Sequence, residues 1–208
     1  MSVFKLPENV ILKIPTQEIG VSCDSNTCRS FPTKDNASKF FELIRNRILD
    51  VNHWNTYAGQ YKASFTLTNA VGEKKKEAKP KCGDFIKIKL PEIHHLLFDD
   101  SDWVKIDCLE FETNSDSQLL NVCLKPSPNP CNRKKRTDHF FSSSSSNTII
   151  LYQTENIVQL SVHGRNEFPN VFTPNKLMKL RNFVIANLGY LGLSKFQWQG
   201  FTDGMMKD

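Results

Sequence analysis

Two histidines and three aspartates lie within nine residues of one another, and their side-chain types are those of a divalent metal site. They are His94, His95, Asp99, Asp100 and Asp102. Imidazole nitrogens and carboxylate oxygens are common ligands of zinc and related ions. Adjacent histidines on an extended backbone point in opposite directions, however, which hinders joint ligation. The pattern therefore favours a solvated loop whose aspartates turn the chain, and we predict no metal and no cofactor.

A second polar group closes a predicted strand, where His163, Arg165 and Glu167 have like parity and Asn166 lies among them. Such side chains would orient a polar ligand group at the mouth of a cavity. As a catalytic set they lack a nucleophile beside a base, although a cysteine brought close by the fold remains open. In the structural alternative, Arg165 pairs with a carboxylate and Asn166 satisfies a turn. We predict no catalytic residue.

The six cysteines show no C-x-x-C spacing of the kind that zinc sites use. Cys23 and Cys28 enclose four residues in a polar stretch, which is a weak spacing for metal or redox chemistry. The first residues are mixed and include Pro7, unlike the apolar core of a signal peptide. We therefore expect a cytoplasmic protein with reduced thiols. The sequence contains no run of 18 apolar residues, so it predicts no membrane span.

The formal net charge is +5 at pH 7, and the four consecutive basic residues at 133–136 account for most of it. The remainder of the chain is close to neutral, unlike a nucleic-acid-binding domain, whose cations usually form a broad face. We therefore do not expect nucleic acid as a partner. The basic run is interpreted as a solvated loop, and the alternative is a patch that binds a protein or an anionic polymer.

The clearest helical period in the chain covers residues 173–206, which we predict to form a C-terminal helix. Thr173 would cap it and Pro174 suits its first position. One apolar stripe recurs at steps of three and four, formed by Leu177, Leu180, Val184, Leu188 and Leu191. The glycines from Gly189 onward would split this helix once, with Ser194 capping the second piece. Such a stripe must be buried against another layer of structure.

A shorter helix is predicted to begin near Asp35 or Asn36 and to continue through Ile48. Elsewhere, β-type composition or alternation predicts strands at residues 9–15, 61–68, 85–90, 103–111, 119–124, 148–152 and 157–163. Residues 16–34 are polar and are interpreted as a loop. The serine run at 142–146 is not interpreted as a domain boundary, because strand signals surround it. Short turns between successive strands favour antiparallel pairing.

This order of elements, with the segment Phe40-Phe41-Glu42-Leu43-Ile44 followed by Trp54, resembles the START/Bet v 1-like (SRPBCC, helix-grip) superfamily. The resemblance covers residues 10–206. It implies an α+β fold in which a curved antiparallel sheet of about seven strands wraps around a long C-terminal helix. Residues 1–208 would form a single START-like domain, a length that suits one core. Members of this superfamily commonly hold an apolar ligand between the sheet and the last helix.

If this chain is similar, one face of each strand and the helix stripe would line the cavity. The expected ligand-binding residues are Phe65, Leu67, Ile86, Ile88, Val104, Ile106, Leu160, Val162, His163, Arg165, Leu180, Val184 and Leu188. The alternative is that the apolar ones among them close-pack as a filled core.

Three functions follow from these alternatives. The first is a domain that binds a hydrophobic small molecule or lipid and has no chemistry of its own. The second is an interaction module with a filled core that binds its partner through the basic loop at residues 133–136. The third is an enzyme that uses the same cavity, with His163 and Arg165 near the reacting atoms.

Overall fold

The computed structural model describes residues 4–58, 63–76, 78–89, 101–131, 141–168, 170 and 194–208. Its strands are β1 Val21–Ser30, β2 Ser64–Thr68, β3 Phe85–Lys89, β4 Asp102–Thr113, β5 Ser117–Pro126, β6 Ser146–Thr154 and β7 Ile157–Glu167. Its helices are α1 Glu8–Ile11, α2 Lys34–Leu49, α3 Trp54–Tyr57 and α4 Ser194–Met205, with a 3₁₀ turn at Val51–His53. All seven strands form one antiparallel sheet in the order β1-β7-β6-β5-β4-β3-β2.

The two faces of this sheet are covered differently. The face that we call the inner face packs against α2, α3 and α4, and together these elements form the main hydrophobic core. The opposite, outer face is covered in part by the N-terminal segment, where Leu6 and Val10 pack on Leu119, Ile150 and Tyr152. Side chains alternate between the faces along each strand, so parity decides which residues can meet a ligand on the inner face.

Helix α2 forms where the sequence predicts a helix, but it begins at Lys34, and its cap is Thr33 in place of the predicted Asp35 or Asn36. Thr33 caps it, because its hydroxyl oxygen accepts a hydrogen bond of 3.2 Å from the backbone N–H of Asn36. The apolar residues of α2 that recur at helical spacing are buried, with Phe41 and Ile44 completely covered by the inner face. Burial of a full apolar side chain contributes roughly 1.5–3 kcal/mol. The packing of this stripe therefore holds α2 on the sheet.

The predicted strand at residues 9–15 is wrong, since this stretch forms α1 and a turn. The segment crosses a face of the sheet, where no strand edge is available for pairing. Its backbone bonds are therefore made locally, for example from Leu12 N–H to the Glu8 carbonyl at 2.9 Å. Val10 is buried against the outer face as a result.

The predicted loop at residues 16–34 is also wrong, because Val21–Ser30 forms strand β1 at the edge of the sheet. Two of its inward side chains, Thr27 and Arg29, are polar and form hydrogen bonds with the C-terminal segment. Thr27 donates to the hydroxyl of Thr202 at 2.9 Å, and Arg29 donates to the carbonyl of Met206 at 3.0 Å. A strand with mostly polar inward residues lacks the alternation by which strands are recognised. Pairing with β1 also extends β7 to Glu167, beyond the predicted end at His163.

The predicted C-terminal helix is present over Ser194–Met205, and Met206 forms the turn after it, whereas residues 173–193 lie outside the described residues. Two arginines bind carbonyls at and just after the end of α4, where cations are favourable. Arg47 from α2 donates to Met205 at 2.8 Å and also to Lys207, while Arg29 from β1 donates to Met206. The helix-grip α+β fold is thus confirmed. No helix within the described ranges has the length and apolarity needed to cross a membrane.

Replacing Gly204 with alanine is expected to destabilise the protein by about 1–3 kcal/mol, the usual cost of overpacking. A Cβ atom here would lie 2.4 Å from the carbonyl oxygen of Tyr57 and 2.9 Å from Cα of Ala58. These are backbone atoms of the α3 segment, so they cannot rotate away. Chemical denaturation of the two proteins measures the change. A Gly→Ala change in an uncrowded helix would instead stabilise by about 1 kcal/mol, so a gain in stability would contradict the close approach.

Candidate functional site

The predicted ligand-facing residues of the strands come together on the inner face. Six of them are almost completely buried in the main core, namely Leu67, Ile86, Val104, Ile106, Leu160 and Val162. The register explains this placement, because Leu67 pairs with Ile86 and Ile86 pairs with Val104 across β2, β3 and β4. The inner face is therefore one apolar surface that continues from β2 to β7.

The inner face is less completely covered at its β2–β3 side. Phe65 and Ile88 are directly paired across these strands and share the parity of Leu67 and Ile86, yet both are only partly buried. Trp54 closes the neighbouring space, with its ring centroid 5.4 Å from that of Phe65. The side chains of Phe65 and Ile88 thus form an apolar surface that remains partly exposed to solvent.

Several predicted groups lie outside the described residues, and the predictions made for them stay predictions. They are the helix-stripe residues Leu180, Val184 and Leu188, the loop residues His94, His95, Asp99 and Asp100, and the basic run at 133–136. Asp102 from the same loop group is described, and it is buried at the start of β4.

His163 and Arg165 point to the outer face, away from Leu160 and Val162, because their parity along β7 is opposite. Both bind Asp24 of the neighbouring edge strand β1. Nδ1 of His163 lies 2.7 Å from Oδ1 of Asp24, and a guanidinium nitrogen of Arg165 lies 2.7 Å from the same oxygen. The structure therefore does not bring these two residues together with the inner-face set, and Arg165 pairs with a carboxylate as in the structural alternative.

The atoms of Asp24, His163 and Ser161 form a hydrogen-bonded row in the order found in serine hydrolases. Nε2 of His163 lies 3.0 Å from the hydroxyl oxygen of Ser161. Ser161 has no exposed surface, however, so its oxygen is closed to a substrate. Burial opposes ionisation of Asp24, but the hydrogen bonds from His163 and Arg165 outweigh it and lower the pKa of Asp24 to about 2. These hydrogen bonds to Asp24 connect strand β7 to strand β1.

Glu167 at the end of β7 is a buried carboxyl group on the inner side of the sheet. Asn166 has a left-handed backbone with φ of 54°, and the β1–β7 register shifts beside it, so the alternation is interrupted before Glu167. A Cβ atom on Gly164 would lie 2.4 Å from Oε1 of Glu167. Gly164 shares the parity of Val162, so the carboxyl group occupies the space in front of Gly164 on the inner face.

The surroundings of Glu167 make its ionisation unfavourable. The residue is 1% exposed, and no described residue forms a hydrogen bond with its Oε1 atom. Burial raises the pKa of Glu167 to about 7, and the charge of Arg165 only partly opposes this shift. Perturbed carboxyl groups of this kind concentrate at functional sites.

Asn147 of β6 is the cross-strand partner of Gly164 and contributes a second buried oxygen to this place. Its Oδ1 atom would lie 3.3 Å from a Cβ atom on Gly164, and within the described part of the chain it has no hydrogen-bond partner. Two unpartnered acceptors thus face the same small volume beside Gly164. Buried polar atoms are nearly always paired, so two neighbouring exceptions mark a place where a hydrogen-bond donor is missing among the described residues.

The backbone that carries Glu167 is held firmly by its neighbour Asn166. The Oδ1 atom of Asn166 accepts from the backbone N–H groups of Glu18 at 2.7 Å and Ile19 at 3.1 Å. Ser145, from the serine run, donates to the Asn166 carbonyl at 2.8 Å. These contacts fix the left-handed conformation, which Asn tolerates better than most residues. The position of the Glu167 carboxyl group is therefore set by the fold.

The importance of Glu167 and Asn147 is not evident from strand parity, which assigns Glu167 to the side of His163 and Arg165. One signal was available in the sequence, namely Gly164 within an otherwise bulky strand. A glycine at such a position often marks a bulge or the close approach of another group. The observed close approach is that of the Glu167 side chain.

Metal sites and disulfides both require side chains that the fold brings close together. Within the ranges given above, no three His, Cys, Asp or Glu side chains lie close enough together to hold a metal ion. All six cysteines are described, and none forms a disulfide. Cys23 and Cys28 point to opposite faces of β1, because an odd number of positions separates them. Their cross-strand partners on β7 are Gly164 and Gln159, respectively. The predicted weak Cys23–Cys28 pair is therefore separated along the strand.

No protein-family model matches this chain, and no curated protein matches it in sequence. Among solved structures, a hypothetical protein from Helicobacter pylori aligns with 99% of this chain and 95% of its own, at 11% identity and a TM-score of 0.50. Ara h 8.0201 is 9% identical over 90% of this chain and 100% of its own, with a TM-score of 0.38. Norcoclaurine synthase from Thalictrum flavum is 9% identical over 93% of this chain and 96% of its own, also at 0.38.

At these identities a likeness concerns the fold alone. The START/Bet v 1-like resemblance drawn from the order of elements is confirmed as a resemblance of fold, since the sheet order and the helices on its inner face are those of a helix grip. The ligand is a separate question, which depends on the residues of the site.

Proposed function

We propose that this protein is a START-like domain that binds a hydrophobic small molecule or a lipid between the inner face of its sheet and its C-terminal helix. The observation that carries the proposal is the inner face itself, which is apolar from β2 to β7 and partly open at Phe65 and Ile88. Ligand sites are typically apolar surfaces with a few convergent polar groups. The oxygens of Glu167 and Asn147 supply such groups at the β6–β7 side of the same face.

The open pair favours entry of a ligand from the β2–β3 side. Apolar side chains in a filled core are covered on all sides, as Ile86 and Leu160 are here. Phe65 and Ile88 are covered less, although they belong to the same face. A ligand on this side would bury the remaining apolar surface of both, at roughly 25 cal/mol for each Å² removed from water.

Titration with diphenylhexatriene, a neutral apolar probe that becomes fluorescent when it is bound, tests this function. We expect saturable binding of one probe molecule per chain, with the stoichiometry confirmed by native mass spectrometry. Ile88→Gln should weaken binding by roughly tenfold, equal to about 1.4 kcal/mol of lost apolar contact. The control is Lys87→Gln on the opposite face of β3, which should leave the affinity unchanged.

Two results would dismiss the proposal. One is a protein that binds no probe and yields no lipid on organic extraction. The other is equal loss of probe affinity in the Ile88 and Lys87 variants, because binding would then not involve the inner face.

A further inference from the structure

The β6–β7 side of the inner face offers two hydrogen-bond acceptors and no matching donor. Oε1 of Glu167 and Oδ1 of Asn147 both lie near the point that a Gly164 side chain would occupy, at 2.4 Å and 3.3 Å from it. Both atoms are buried, and neither is hydrogen-bonded to any described residue. Gly164 carries no side chain, and the Glu167 carboxyl group takes the space that one would fill. A ligand donor would have to enter between these two oxygens to bond to them.

The adjacent cation is already engaged elsewhere. The guanidinium of Arg165 donates to Asp24 and, at 2.7 Å, to the carbonyl of Gly164. Its side chain lies on the outer face, so it does not bond to Oε1 of Glu167. Among the described residues, Glu167 forms no ion pair. A buried carboxylate without a partner is costly, and a cation that binds it removes that cost.

The number of donors distinguishes the ligand groups that would fit. An ammonium carries three N–H donors, so it can bond to Glu167 and Asn147 at the same time. A hydroxyl group carries one donor and leaves one of the two oxygens unpartnered. An ionised carboxylate has no donor and would be repelled by Glu167. We therefore expect an ammonium group to bind most tightly to Glu167 and Asn147, a hydroxyl group less tightly, and a carboxylate most weakly.

We propose that Glu167 and Asn147 hold the ammonium group of a lipophilic primary amine, whose apolar body lies along the inner face. This inference rests on the proposed function, since it requires that the inner face accept a ligand. Val162 and Leu160 follow Gly164 at successive inward positions of β7 and are apolar. An alkyl or aryl group attached to the bound ammonium would therefore extend from the polar end across the apolar surface.

The test is displacement of bound diphenylhexatriene at pH 8 by three chains of equal length, dodecylamine, dodecanol and dodecanoate. We expect dodecylamine to bind at least tenfold more tightly than dodecanol, and dodecanoate to bind most weakly. Glu167→Gln should lower the affinity for the amine by about tenfold or more, because one partner of a buried charge pair is lost. Asn147→Leu, which removes the second acceptor at similar volume, should lower it by a smaller factor.

The matched control is Glu155→Gln, which removes the same charge from the exposed β6–β7 turn at the other end of β7. It should leave all three affinities unchanged. The inference would be overturned if the unaltered protein bound the amine and the alcohol equally. It would also be overturned if the amine preference survived in both the Glu167 and Asn147 variants. In either case, binding of the fluorescent probe would still support the proposed function. Failure of the protein to bind any probe or chain would overturn both.

Discussion

Replacing Trp54 with alanine is expected to destabilise the fold by about 3–5 kcal/mol, the range found for large aromatic residues removed from cores. Trp54 is almost fully buried, and its ring meets those of Phe65 and Phe201 edge-on at 5.4 Å each. Its indole N–H donates to the carbonyl of Ile48 at 2.9 Å. One side chain thus joins α2, β2 and α4, and no neighbour can fill the space it leaves.

Urea denaturation of the unaltered protein and the variant measures this loss. The matched control is Trp198→Ala, because Trp198 is only partly buried and, among the described residues, its ring meets that of Phe201 alone, at 5.5 Å. We expect a cost of about 1 kcal/mol there, close to that of one exposed aromatic pair. Similar losses in the two variants would show that Trp54 does not join the three elements.

Replacing Glu167 with glutamine is expected to stabilise the ligand-free protein above pH 7, although it alters a buried residue. The native pKa of this carboxyl group is raised from 4.5 to about 7. Between these two values the native state keeps a proton that the unfolded state has lost, so stability falls as the pH rises through this window. The full loss is about 3 kcal/mol, since a tenfold change in proton affinity corresponds to about 1.4 kcal/mol.

Glutamine cannot ionise, so the variant should lose this dependence. We expect the two proteins to have similar free energies of unfolding near pH 4.5, and the variant to be more stable by about 2–3 kcal/mol at pH 8. Comparison at each pH cancels the contributions of other groups, among them Asp24, whose low pKa acts in the acid range. A constant difference between pH 5 and pH 8 would mean that Glu167 is ionised at the same pH in both states.

The Trp54 and Glu167 substitutions are thus expected to change the free energy of unfolding in opposite directions. Trp54 stabilises the place where the helices meet the sheet, whereas Glu167 carries a cost that a bound donor would remove. Residues that reduce stability while they remain well positioned often serve binding. Stabilisation by Glu167→Gln together with weaker amine binding would therefore support the polar anchor from two independent measurements.

The parts of the fold that were predictable share a strong local signal. Helix α2 has a period of 3.6, strands such as β2, β3 and β7 alternate between apolar and polar residues, and β5 and β6 have β-type composition. These signals arise from backbone geometry within a few residues, so they do not require knowledge of the neighbours. They also identified the inward residues of the strands, such as Leu67, Ile86 and Leu160.

Strand β1 and helix α1 were missed for a different reason. Thr27 and Arg29 of β1 point inward although they are hydrophilic, because their partners are polar groups of the C-terminal segment, more than 160 positions away in the chain. Residues 8–11 have strand-type composition but lie across a face, where no strand edge is free. In both places a distant segment decided the outcome, and local propensity had no information about it.

The sequence by itself determined the order of elements and the apolar face of most strands, since alternation is a property of each strand alone. Only the tertiary structure decided that His163 and Arg165 face away from that surface and bind Asp24, and that Glu167 and Asn147 end beside Gly164 without partners. The physical reason is that one left-handed residue, Asn166, interrupts the alternation, and that residue is held by a loop almost 150 positions earlier. Whether a buried polar atom finds a partner depends on the whole fold.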